Sequence, residues 1–158
     1  MVRHPSMDNE EVRKVFERVQ KEGTNDEHVP YGERNSNLEC RADFEVEYLF
    51  NPDPMVENIV LRQGLRCDFL YEGDQPKLNG IHMIWPEFSD VNNEVIRDKN
   101  VNAPSSGKAT MWIVDHESRV KFHQPRIKVG TKGFWVAGSF KIASVTVTKI
   151  LGLFTNTQ

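Results

Sequence analysis

The sequence predicts an all-β fold: a small antiparallel Greek-key-type β-barrel with one N-terminal α-helix. Three observations carry this reading. Apolar and polar residues alternate strictly from Leu38 to Phe50. Beyond them, short apolar runs follow one another with turn residues between and no interleaved helical pattern. Only residues 8–22 show the three-and-four spacing of an amphipathic helix.

In that helix Asp8 can cap, with Glu11 three residues on. Val12, Val15, Phe16 and Val19 make one apolar stripe, and Gly23 is a natural stop. A helix this short is marginal alone and needs a dock. Residues 24–37 are polar and read as a linker, so residues 1–37 form an arm and residues 38–154 the barrel domain. In the first strand Leu38, Cys40, Ala42, Phe44, Val46, Tyr48 and Phe50 share the inner face. Glu39, Arg41, Asp43, Glu45 and Glu47 share the outer one. After the turn at Asn51-Pro-Asp-Pro54, Ile59, Leu61, Leu65, Cys67, Phe69 and Tyr71 form a second inward set, with Gly64 at a bulge or bend. Ile81, Met83 and Trp85 suggest a short strand ended by Pro86, and residues 89–107 are polar. Further strands are predicted at Lys108–Val114, Ile127–Val129, Phe134–Val136 and Lys141–Leu151. Ala109–Val114 and Phe134–Ala137 are apolar on both faces. Trp112 or Trp135 should therefore lie outside the barrel core under a cover, which the N-terminal helix or a partner protein could supply.

A chain of 158 residues is one domain with room for a real core. Its 27% charged and 38% hydrophobic residues describe a soluble chain. No apolar run reaches the roughly 20 residues of a membrane helix, and the start lacks a signal-peptide core. No membrane association is expected. With only Cys40 and Cys67 there is no disulfide scaffold, so a reducing cytoplasm is the expected compartment.

Charge is segregated along the chain. Ser118–Gln158 holds seven Lys/Arg and no acid, whereas the first 117 residues hold all 23 acids and 13 bases. Such a field can steer an anionic partner or an acidic protein face. Alternatively, the basic strands pair with acidic ones inside one fold. The candidate binding residues are Arg66, Lys121, His123, Arg126, Lys128, Lys132 and Lys149. On a strand, Arg126 and Lys128 would share a face, with Phe122 and Trp135 near in sequence. Bases with an aromatic can hold RNA through phosphate contact and stacking. A solvated basic face facing Glu45 and Glu47 is the plain alternative.

Other chemistry is poorly supported. Gly107-Lys-Ala-Thr110 brushes against a phosphate loop, but Asn102 stands where that motif needs glycine and a strand follows instead of a helix. No nucleotide or other cofactor is expected. Cys40 and Cys67 read as small buried hydrophobes, and His82, His116 and His123 have no familiar ligand spacing, so no metal is expected. Read along a strand, Asp115, His116 and Glu117 alternate faces and do not converge. No glycine-flanked serine nucleophile occurs, and no catalytic residue is assigned.

Four pieces of the chain, in the same order, resemble the C-terminal β-barrel (third domain) of elongation factor Tu. Glu45-Val-Glu-Tyr-Leu49 is similar to its opening strand. Gly64-Leu-Arg-Cys-Asp-Phe69 is similar to its Gly-Tyr-Arg-Pro-x-Phe strand. Pro104-Ser-Ser-Gly107 is similar to its Pro-Gly-Asp turn, and Val145-Thr-Val-Thr-Lys-Ile-Leu151 to its closing strand. Together they span about two thirds of the chain. The departures bear on function. Met55-Val-Glu-Asn-Ile59 replaces a Gly-Gly-Arg-x-Thr-Pro stretch that in the family helps meet the tRNA stem, and Val136-Ala-Gly138 replaces an Arg-Glu-Gly turn. Arg66 and Lys149 are retained, and the family's GTPase domain has no counterpart in these residues. The resemblance implies a barrel with an interaction role. The expected function is a non-catalytic binding module, an accessory or immunity-like barrel with a protein partner. The rivals are an RNA-binding accessory of translation and an unrecognised enzyme.

Overall fold

The computed structural model describes residues 27–34 and 41–157. Six strands close an antiparallel barrel: β1 (Phe44–Phe50), β2 (Asp68–Tyr71), β3 (His82–Phe88), β4 (Ser106–Ile113), β5 (Lys132–Ala137) and β6 (Phe140–Ile150). Around the barrel they run β1, β4, β3, β2, β5, β6. β2, β3 and β4 are consecutive neighbours, and β1 closes beside β4, the Greek-key arrangement. The predicted all-β barrel is thus the observed fold. The predicted helix at 8–22 and its docking site lie outside the described residues. Among those described, no helix is long and apolar enough to cross a membrane.

Alternation sets the register of β1. Phe44, Val46 and Tyr48 are buried and Glu47 is exposed. The inner faces meet in an aromatic core. Trp135 is fully buried, with Tyr48 at 5.0 Å and Phe88 at 5.6 Å between ring centroids. Phe44 meets Phe69 edge-on at 6.4 Å. Ile59, Leu61, Leu65, Cys67, Phe69 and Tyr71 are buried as expected, but only the last four residues to Tyr71 are strand. Gly64, at φ +89°, bends the chain before β2, a conformation that side chains disfavour.

Three expectations are corrected. First, β3 runs through Pro86, and Ile84, Pro86 and Phe88 face the core while Met83 and Trp85 face out. The backbone of Phe88 turns away from β4, its N–H donating to Gln63 Oε1 and its carbonyl accepting from Gln63 Nε2 and Ile96 N. Pro86, two residues earlier, has the same orientation, so its missing N–H costs no β4 bond. Second, Asp43 is not on a solvated outer face; it is fully buried. Third, Ile127–Val129 is not a strand. The β4–β5 connection instead begins with a helical insert, His116–Ser118 followed by a π turn at Arg119–His123.

That insert closes one end of the barrel. Asp115 caps it, accepting from the N–H groups of Glu117 and Ser118 and from Ser118 Oγ. Arg119 and His123, four apart, turn inward, and Val120, Lys121 and Phe122 turn out. Arg119 Nε donates to Asp43 Oδ1 at 2.6 Å, with both side chains 1% exposed. Asp43 also accepts from Ile113 N and Asn156 Nδ2, and Arg119 donates to Ile113 O. His116 Nδ1 stands 2.7 Å from Arg119 Nη1. The buried charges are thereby surrounded by partners.

Trp112 and Trp135 divide as the sequence suggested: Trp135 lies inside and Trp112 outside. Among the described residues, the cover on Trp112 is the segment around Tyr31, whose ring lies 5.6 Å away. A short helix, Tyr31–Arg34, falls in the stretch read as linker. It is anchored at Glu87, whose carboxylate accepts from Tyr31 N at 2.8 Å and lies 2.7 Å from His28 Nε2. The outward Phe134 is covered by Lys141, whose Nζ lies 4.0 Å from the ring centre.

Candidate functional site

The same barrel end gathers aromatic, imidazole and cationic side chains from two connections, β2–β3 and β4–β5. Tyr71 ends β2, His82 starts β3, and Phe122, His123 and Arg126 come from the insert and the turn after it. The Tyr71 hydroxyl lies 2.7 Å from His123 Nδ1. His82 stands edge-on to His123 at 4.7 Å and lies against Phe122 at 5.7 Å. The Arg126 guanidinium covers the Tyr71 ring at 3.8 Å and is held bidentate by Asp74 at 2.7 and 3.0 Å.

Burial sets the protonation of this cluster. It pushes His123 from 6.5 down to about 3, helped by the positive charges of His82, Arg126 and Arg119. His123 is therefore neutral at pH 7. Its Nδ1 is matched to Tyr71, while Nε2 is buried without a hydrogen-bond partner. Burial also raises the Tyr71 phenol and lowers His82. A base whose folded value is lowered binds its proton more readily in the unfolded chain. Stability should therefore fall as pH drops from about 6.5 toward 3, by up to about 1.4 kcal/mol per pH unit for His123. Urea melts across this window should show that loss, and His123→Gln should flatten it. An unchanged slope in the variant would assign the acid sensitivity to other groups.

The structure brings together part of the predicted set. Lys121, His123 and Arg126 converge around Tyr71 and Phe122, with Lys121 Nζ 5.3 Å from the Phe122 ring centre. Lys128 sits in the next turn, where its N–H donates to Thr131 Oγ1. Arg126 and Lys128 share no strand face, because Gly130 at φ +95° and the bond from Thr131 N to Lys128 O fold this stretch into a turn. Lys132 is exposed at the start of β5. Lys149 lies on β6 opposite Glu45 of β1. Arg66 stacks on Trp85 of β3 at 4.5 Å. β3 and β6 are on opposite sides of the barrel, so Arg66 and Lys149 do not join one surface.

Exposed apolar side chains stand beside the cluster, of which the sequence pointed only to Phe122. Met83 and Val114 are exposed and adjacent, Val114 N donating to Met83 O. Phe122 is 42% exposed and lies against His82, the residue before Met83. Asp115 with Ser118 three residues on was a readable cap that would have revealed the insert and its outward Phe122.

At the other end of the barrel, an open groove of about 710 Å³ runs between Pro30 and Glu33 on one wall and the β3–β4 connection on the other. Among the described residues, no group of three or more His, Cys, Asp or Glu is placed to hold a metal. Compared with known proteins, the sequence matches no family model and no curated protein.

Proposed function

We propose that this barrel is a non-catalytic binding module whose partner is a protein. The carrying observation is the exposed apolar set Met83, Val114 and Phe122 at the insert end. Phe122 rides on a turn whose inner side is fixed by the buried Arg119–Asp43 pair and by His123. Exposed apolar groups on a rigid frame, with Lys121 and Arg126 at the rim, have the make-up of a protein contact. The resemblance to the third domain of elongation factor Tu supports the same role. Paired cations favour protein over RNA, since Asp74 engages Arg126 and Arg66 stands apart from Lys149.

The test compares the unmodified chain with a Phe122→Ala, Met83→Ser double variant as bait, with and without nuclease. A protein should stay bound after nuclease, and the variant should weaken it at least about tenfold while circular dichroism stays unchanged. Loss on nuclease treatment, with equal binding by the variant, would move the assignment to RNA. Changing Arg126 and Lys128 to alanine should then weaken all RNA sequences about equally.

A further inference from the structure

We propose that the groove at the opposite barrel end takes a cationic, partly apolar peptide segment of a partner protein. This surface is separate from Met83, Val114 and Phe122, so it stands or falls independently of that reading. The β3–β4 connection, residues 89–105, leaves the end of β3, whereas the insert leaves the end of β4. The two therefore sit at opposite ends of the barrel.

The groove combines an apolar lining with an acidic rim. Pro30, Val95, Ile96 and Pro104 line it, and Val91 and Val101 stand exposed beside it, Val91 at 90%. Together Val91 and Val101 extend the apolar lining to the groove's open margin. Glu33, Asp90, Glu94 and Asp98 supply four carboxylates against one base, Arg97. Arg97 is already taken up by Glu33, at 2.6 and 3.3 Å. Asp90 and Asp98 each use Oδ1 to hold their own turns, through Asn92, Glu94 and Asn100 N–H groups. No hydrogen bond engages the Glu94 carboxylate, Asp90 Oδ2 or Asp98 Oδ2 among the described residues. The rim therefore presents three carboxylates with oxygens that accept no hydrogen bond, above an apolar surface.

Both walls are held in place. The Gln63 amide, fully buried, bonds Phe88 and Ile96 and fixes the floor. His28 N donates to Arg97 O at 2.7 Å, and Glu87 anchors the His28–Tyr31 segment. An open groove of about 710 Å³ suits side chains of an extended or helical segment. Lysine and arginine on that segment would face Asp90, Glu94 and Asp98, and its apolar side chains would cover Val91 and Val101.

The experiment is a titration of the isotope-labelled full chain with a Lys/Leu-rich peptide, read by amide chemical shifts. A Glu/Leu-rich peptide of the same pattern serves as control. Shifts should concentrate in residues 90–102, weaken with added salt, and be absent with the control. Glu94→Lys and Val91→Ser should each reduce affinity at least about tenfold. Shifts elsewhere, or none, would overturn the proposal. Indifference to Val91→Ser would reduce the contact to diffuse charge attraction and overturn it too. Self-association of the chain that Glu94→Lys abolishes would give the groove to a second copy and would equally overturn it.

Discussion

Replacing Asp43 with alanine should destabilise the fold by about 3–5 kcal/mol, because it strands a buried guanidinium. The Arg119 side chain is 1% exposed and Nε has Asp43 as its partner. Removal also takes away the acceptor for Ile113 N and Asn156 Nδ2. Against a typical domain stability of about 5–15 kcal/mol, such a loss is roughly a fifth of the whole at the least. Urea unfolding of the variant checks it. Replacing both partners with apolar residues, Asp43→Leu with Arg119→Met, should cost less than the two single changes summed, since no unpaired charge is left. Single losses below about 1 kcal/mol would mean that water reaches the pair.

Phe44→Ala should cost about 3–5 kcal/mol, and Glu45→Ala should stay within about 0.5. Phe44 is fully buried, between Met111 of β4 and Ile150 of β6, with its ring against Phe69. No local collapse can refill a hole that three strands frame. Glu45 lies on the other face, in reach of Thr148 and opposite Lys149. It is half-buried, and a single hydrogen bond from Thr148 Oγ1 that is partly open to solvent is worth little. Thermal melts of the two variants decide this, and similar losses at both sites would contradict the observed register.

What the sequence revealed follows from how far each signal reaches along the chain. Alternation is local, so the inner face of β1 and the buried positions from Ile59 to Tyr71 could be read directly. It misplaced Asp43 because that residue precedes the regular strand, at a bend, and its partner lies 76 residues away. Alternation also cannot say which face is inner when both are apolar, which is why the pattern puts Met83 and Trp85 inward. Pro86 reads as a strand end because proline lacks an N–H, which this position does not need. The basic stretch looked free of acids only in one dimension. Folding brings Asp74 to Arg126 and sets Glu45 beside Lys149, a pairing of distant segments that no local pattern contains. The acidic groove was hidden for the same reason: its walls come from residues 30–33 and 90–104, each ordinary alone.

Closure of the sheet also restricts how this molecule can evolve contacts. Each of the six strands has a neighbour on both sides, and where β3 runs past β2 its outer edge is met by Gln63 and Ile96. Recruiting a guest strand by main-chain pairing is therefore closed to the barrel, as is the runaway stacking that open edges invite. Recognition is left to side chains on the wall and to the connections at either end. Those positions can change one at a time without disturbing a single ladder bond, so new partners can be gained or lost while the scaffold persists.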